Sequence, residues 1–178
     1  MKIGLCGTQS VGKTTLIKSL SELPEFNDYF IATERSKYLR DLGIPLNTDS
    51  TLNGQTIFLA ERVSELMRPK LLTDRTIIDV LAFTKCAKSI NYLHKEDFED
   101  YAKIFIDQYD YIFYINPAGV DIENNNVREI DPDYRNTIDF FIQRMLDRYS
   151  HRIKNLINIP LYLTVEERVN FIKKTIWS

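Results

Sequence analysis

The sequence predicts an α/β fold, a three-layer sandwich with helices on both faces of a mostly parallel five-stranded sheet. Three observations predict it. Short apolar runs rich in β-branched and aromatic residues alternate with helical apolar patterns along the whole chain. The strongest run, Tyr111-Ile112-Phe113-Tyr114-Ile115, has no polar face, which suits a central parallel strand covered on both sides. No repeat, low-complexity tract or Pro/Gly-rich linker divides the 178 residues, so one domain spanning 1–178 is expected.

The elements follow in order. Lys2–Cys6 reads as the first strand, and Thr14–Leu20 as a helix whose Leu16, Ile17 and Leu20 share a face. Phe30–Thr33 is the second strand, followed by a helix over Ser36–Leu42 that stops at Gly43-Ile44-Pro45. Asn47–Gly54 is polar and turn-rich. Gln55–Met67 fits a helix through Ile57, Phe58, Leu59, Val63, Leu66 and Met67, ended by Pro69. Lys70–Thr73 is the third strand, Ile77–Cys86 and Asp97–Tyr109 are helices, and Tyr111–Ile115 is the fourth strand, closed by Asn116-Pro117. Residues 118–133 are irregular. A helix over Tyr134–Tyr149, a fifth strand over Ile159–Leu163 and a helix over Glu166–Ile176 complete the chain, although Pro160 can donate no ladder bond.

Composition narrows the function classes. With 23 basic against 25 acidic residues, the net charge of −2 leans away from a dedicated duplex-binding surface. No apolar run is long enough for a membrane span, and the N-terminus has no leader-like stretch, so no membrane partner is expected. Two cysteines, Cys6 and Cys86, make no disulfide framework; they read as small buried hydrophobes in a cytoplasmic protein. His94 and His151 lack partners at zinc-ligand spacing. Glycine is scarce, yet Gly4, Gly7 and Gly12 are three of only six in the chain.

That concentration marks a phosphate cradle. Gly7-Thr8-Gln9-Ser10-Val11-Gly12-Lys13-Thr14 satisfies G-x-x-x-x-G-K-[ST] between a strand and a helix. Glycines let the backbone N–H groups turn inward as an anion nest, and the helix adds its positive end. Lys13 is expected on the β- and γ-phosphates and the Thr14 hydroxyl on Mg²⁺, with Gly7 to Thr15 as the ATP contacts. The sandwich is therefore expected to be of the P-loop NTPase type.

In open α/β sheets ligands sit at the carboxyl ends of the strands. Glu34 and Arg35 follow the second strand there, and Asp74 and Arg75 follow the third. A carboxylate so placed can take a proton from an attacking hydroxyl or hold Mg²⁺, and an arginine can clamp a substrate phosphate. The alternative is a helix cap with a solvated partner. Arg128 and Arg135 either close a mobile cationic lid of about 118–135 over the triphosphate or belong to a surface loop that also holds Asp121, Glu123 and Glu129. Thr164 to Arg168 can border the adenine, but Thr164 with Glu167 reads more directly as a helix cap. Phe58 and Tyr38 are aromatics available to stack on a nucleobase.

On these segments the chain resembles the P-loop nucleoside and nucleotide kinases, and most of all the ATPase/kinase branch typified by the ribosylnicotinamide kinase domain, with thymidylate kinase as a neighbour. The resemblance runs through Gly7–Thr15, Thr33-Glu34-Arg35-Ser36, the helix around Gln55, Thr73-Asp74-Arg75-Thr76 with Ala82-Phe83, Tyr109–Asn116 and Val127-Arg128. It implies a kinase that moves the γ-phosphoryl of ATP to a nucleoside or nucleoside monophosphate. Asp74 would be the catalytic carboxylate or Mg²⁺ organiser, Arg75 and Arg35 substrate contacts, Glu34 a substrate or metal contact, and Arg128 a lid arginine. Two departures concern the acceptor. Thymidylate kinases carry Glu-Pro where this chain has Glu34-Arg35, and the denser lid arginines of that family are missing. Phage-encoded members of the group that phosphorylate a hydroxymethylated pyrimidine within DNA supply the alternative acceptor. A regulatory NTPase is the remaining reading, without an Asn-Lys-x-Asp guanine motif or an Asp-Glu strand end to support it.

Overall fold

The computed structural model describes residues 1–33, 35–119 and 131–177. Five parallel strands, β1 (Lys2–Cys6), β2 (Phe30–Ala32), β3 (Leu71–Thr73), β4 (Tyr111–Tyr114) and β5 (Leu156–Asn158), form one sheet in the order β2-β3-β1-β4-β5. Seven α-helices are present among the described residues: α1 (Lys13–Ser21), α2 (Ser36–Asp41), α3 (Leu52–Leu66), α4 (Ile77–Cys86), α5 (Tyr92–Ala102), α6 (Pro132–Arg148) and α7 (Val165–Trp177). This is the α/β three-layer sandwich that the alternation of patterns predicts, with every strand pair parallel.

The strands divide their side chains between two apolar layers, as a period of two requires. Ile3, Leu5, Leu72, Phe113 and Ile115 join Leu16, Ile17 and Leu20 of α1 and Val169 and Ile172 of α7 on one face. Cys6, Leu71, Ile112 and Tyr114 point to the other, under α3, α4, α5 and α6. Gly4 lies where α4 begins. A Cβ there would stand 2.5 Å from the Thr76 Cγ2 and 3.1 Å from the Tyr109 ring, so the missing side chain lets the start of α4 settle on the central strand.

Four elements differ by two residues or more from the sequence expectation. The fifth strand is Leu156–Asn158 rather than Ile159–Leu163. Ile159 still donates to the Tyr114 carbonyl at 2.9 Å, but Pro160 has no N–H and Tyr162 turns left-handed at φ 62°, so the ladder cannot continue. Helix α3 starts at Leu52 because Thr51 caps it, accepting from Gly54 N at 3.1 Å. Helix α5 starts at Tyr92, not Asp97, capped by Asn91, and gives way after Ala102 to a 3₁₀ segment, Lys103–Gln108. Helix α6 starts at Pro132, with Asp131 as its cap and proline in the first turn, where its missing N–H costs nothing. No helix among the described residues is long and apolar enough to cross a membrane.

Candidate active site

The loop from Gly7 to Gly12 leaves the end of β1 at the centre of the sheet. Gly7 passes so close to β4 that a Cβ would meet the Ile115 carbonyl oxygen at 2.7 Å, and Gly12 starts α1 with a left-handed φ of 85°. Thr8, Gln9, Ser10 and Val11 are buried. Lys13 folds back over the loop, its Nζ donating to the Gly7 and Thr8 carbonyls at 2.6 Å each. Burial, with the Arg75 charge next in weight, lowers its pKa to about 8. Thr14 is half-buried at the foot of the loop, whereas Thr15 faces outward on α1.

Strand β3 neighbours β1, so its end delivers Asp74 to the loop. The buried Asp74 carboxylate accepts a 2.6 Å hydrogen bond from the Thr14 hydroxyl, joining residues 60 positions apart. Arg75 is 11% exposed; its guanidinium lies 4.9 Å from the Phe83 ring centroid and 3.7 Å from the Asp79 carboxylate. Thr76 and Asp79 form a capping box at the start of α4, in which Asp79 Oδ2 accepts from Thr76 N at 2.8 Å and from Thr76 Oγ1 at 2.7 Å. The other Asp79 oxygen accepts from Gly7 N at 3.0 Å and so ties the phosphate loop to α4. Sequence reasoning passed over Asp79, although the Thr76-x-x-Asp79 spacing is a capping-box signature that could have found it.

Beside Thr14 and Arg75 opens a cavity of about 330 Å³ whose wall includes Gln9, Gln55, Phe58, Arg62 and Phe83. Gln55 and Arg62 stand two helical turns apart on the inner face of α3, and both are at most 2% exposed. Thr84 Oγ1 lies 3.4 Å from Gln55 Oε1, and Arg62 Nη2 donates to Glu65 Oε1 at 2.5 Å. Neither Gln55 nor Arg62 was singled out from sequence as a wall residue, because the apolar pattern of α3 drew attention to its other positions. Phe58 does line this cavity, whereas Tyr38 is exposed beneath the Arg35 guanidinium, 4.5 Å away.

The remaining predicted residues divide. Arg35 is 54% exposed and pairs with Glu61 at 3.7 Å, away from the cavity wall, to which its neighbours Ser36 and Lys37 contribute. Glu34 and Arg128 lie outside the described residues, as do Asp121, Glu123, Val127 and Glu129. Arg135 is described: buried on α6, it reaches Thr8 Oγ1 at 3.4 Å and the Pro117 carbonyl at 3.3 Å. A second cavity, also about 330 Å³, lies between Asn116–Gly119 and Ile159–Thr164. Arg168 borders it and donates to the Val11 carbonyl at 2.9 Å, while Thr164 and Glu167 cap α7 as expected. Cys6 is fully buried, and burial pushes its thiol pKa up.

A family model described as an AAA domain matches residues 2–168. The chain belongs to this AAA domain family. A search of curated proteins found no match to it. Solved structures that share the fold of this AAA domain include three of deoxyadenosine kinase from M. mycoides. The one with dCTP bound has a TM-score of 0.71 at 17% identity, covering 99% of this chain and 98% of that one. The one with dATP bound scores 0.67 at 17% identity, covering 100% of each. The one with the products dCMP and a flexible dCDP scores 0.65 at 18% identity, covering 99% and 98%. At such identities the likeness concerns the fold, and none of the three is named as a ribosylnicotinamide kinase or a thymidylate kinase.

The AAA domain has a donor set suited to one hard cation. Among the described residues no group of three or more His, Cys, Asp or Glu side chains forms a cation cage. Mg²⁺ at a triphosphate site takes only one or two protein oxygens, the rest coming from phosphate and water. The adjacent Thr14 hydroxyl and Asp74 carboxylate fit that requirement.

Proposed function

We propose that this AAA domain is an ATP-dependent kinase that transfers the γ-phosphoryl group to a hydroxyl of a nucleoside or nucleoside monophosphate. One observation carries the reading: Asp74 meets the phosphate-loop residue Thr14, which together with Arg75 lines a half-open cavity. A cavity of about 330 Å³ has the size of a small-molecule site. The structural neighbours were solved with deoxynucleotides bound, which supports a nucleoside-type acceptor. The net charge of −2 favours a free acceptor over a hydroxymethylated pyrimidine within DNA.

The chain's own groups divide the work. The loop N–H groups and Lys13 bind the β- and γ-phosphates and stabilise the charge that spreads over the γ-phosphoryl oxygens. Thr14 and Asp74 would hold Mg²⁺, which neutralises phosphate charge when bound. Asp74 orients the acceptor hydroxyl and takes its proton; the new P–O bond forms as the bond to the β-phosphate oxygen breaks and ADP leaves with the electron pair. Arg75 holds the acceptor against the loop. Gln55 and Arg62 present hydrogen-bonding groups to its base between Phe58 and Phe83, and the second cavity takes the adenine of ATP. Arg135 on α6 adds positive charge over the triphosphate, and Arg128 joins it as a lid arginine. Glu34 contacts the acceptor, and residues 1–178 work as one cytoplasmic domain.

The direct test is incubation with labelled ATP and a panel of nucleosides, nucleoside monophosphates and hydroxymethylated DNA. Label is expected in a free nucleoside or nucleotide. ATP hydrolysis with every acceptor unlabelled would overturn the kinase reading, and label only in DNA would replace its acceptor.

A further inference from the structure

Behind Arg62 runs a polar path that the transfer chemistry above does not use. Arg62 is 1% exposed, and its Nη2 is held by Glu65 Oε1 at 2.5 Å. The second Glu65 oxygen, Oε2, lies 3.3 Å from the Thr73 hydroxyl at the end of β3. That hydroxyl lies 3.1 Å from the Arg75 carbonyl and accepts from the Arg75 N–H at 3.4 Å. The path therefore links the wall of the acceptor cavity to the turn that aims Asp74 at Thr14.

A threonine hydroxyl has one hydrogen and two lone pairs. Two acceptors compete for the Thr73 hydrogen: Glu65 Oε2 and the Arg75 carbonyl. When Glu65 is ionised, the hydrogen goes to its carboxylate. When Glu65 carries a proton, its O–H donates to Thr73 Oγ1, and the Thr73 hydrogen turns to the Arg75 carbonyl. Donation from the Arg75 N–H is compatible with both arrangements, so each satisfies the group's valence.

We propose that Glu65 is a positioning residue for the phosphoryl-transfer centre, setting the Asp74-Arg75 turn through the Thr73 hydroxyl. This rests on the kinase reading for its effect on turnover, but the link itself belongs to the protein without ligand. The groups that face Glu65 are Arg62 and Glu61 on α3, the Thr73 hydroxyl on β3 and the buried Tyr109 phenol before β4. Burial raises the Glu65 pKa to about 7 against the opposing pull of Arg62, so both arrangements lie within the physiological range.

The link is read from the Arg75 backbone amide by NMR in the unliganded protein as pH crosses about 7. In the unsubstituted protein the resonance is expected to titrate. It should stay flat in Glu65→Gln, whose amide donates to Thr73 permanently, and in Thr73→Val, which removes the shared hydroxyl. Thr73→Ser keeps the hydroxyl and should restore the titration. Lys13 titrates near 8 in the same region, so the difference between the proteins is the decisive quantity. The same titration in Glu65→Gln, or none in the unsubstituted protein, would overturn the proposal. In turnover, kcat of the unsubstituted protein should show an inflection near 7 that Glu65→Gln and Thr73→Val lack, with acceptor KM changed less than about threefold. A purely structural Glu65 would lower thermal stability and leave that inflection in place. Failure of the acceptor panel alone would remove the kinase reading while the Arg75 titration still decided the link.

Discussion

Thr33-Glu34-Arg35-Ser36 and Thr73-Asp74-Arg75-Thr76 read almost alike, and both open a helix after a strand. Their arginines nevertheless have different surroundings. Arg75 is 11% exposed and lines the cavity beside the phosphate loop, whereas Arg35 is 54% exposed over Tyr38 and pairs with Glu61. Sheet order accounts for the difference: β3 adjoins β1, and β2 is the outer strand. Capping sharpens it. Helix α4 begins on a complete Thr76–Asp79 box whose carboxylate also holds the loop, whereas α2 begins at Arg35 without a side-chain cap bond. A charged pair at a strand end becomes part of a site when its strand neighbours the strand that bears the phosphate loop.

The comparison can be broken by substitution. Asp74→Asn should lower kcat by about 10²–10⁴ while ATP affinity, measured by calorimetry, stays within about threefold. Near-normal turnover would remove Asp74 from the chemistry and with it the special standing of β3. Arg75→Ala should cost about 10² in kcat/KM for the acceptor, equivalent to about 2.7 kcal/mol. If Arg35→Ala matched that loss, the two strand ends would be functionally equivalent despite their geometry.

Lys13 supplies a smaller, pH-dependent effect. In the proposed reaction its ammonium form binds phosphate, and its pKa in the unliganded protein is lowered to about 8, so triphosphate affinity should fall as pH rises through about 8. Above that pH, binding should take up a proton, detected by calorimetry in buffers of different ionisation enthalpy. Proton release there would contradict the assignment. The smallest expected effect belongs to Arg35→Ala: less than about 1 kcal/mol of stability in denaturant unfolding, because an exposed ion pair contributes little.

Much of this contrast was legible in the sequence, and the unread part has a common cause. The phosphate loop is specified by local residue types, and α4 is legible at Ile77–Cys86 because its apolar pattern is local as well. The fifth strand reads too late because Ile159, Leu161 and Leu163 alternate like a strand in spite of Pro160, and the left-handed turn at Tyr162 leaves no local signal. Asp79, Gln55 and Arg62 gain their significance from contacts that periodicity cannot show. The Gly7–Asp79 bond spans 72 positions, and Gln55 meets Thr84 across 29. Polar residues on the inner face of α3 interrupt the apolar repeat that locates the helix.

The lysine folded over the loop carbonyls has a consequence for the energetics of nucleotide capture. Its ammonium already sits away from bulk water, with the Gly7 and Thr8 oxygens standing in for solvent. Removing a charge from water is among the larger penalties a binding site can face. Here folding has borne part of that penalty before any nucleotide arrives. In the proposed reaction, capture would then be an exchange of partners at a preorganised charge, with phosphate oxygens displacing two carbonyls.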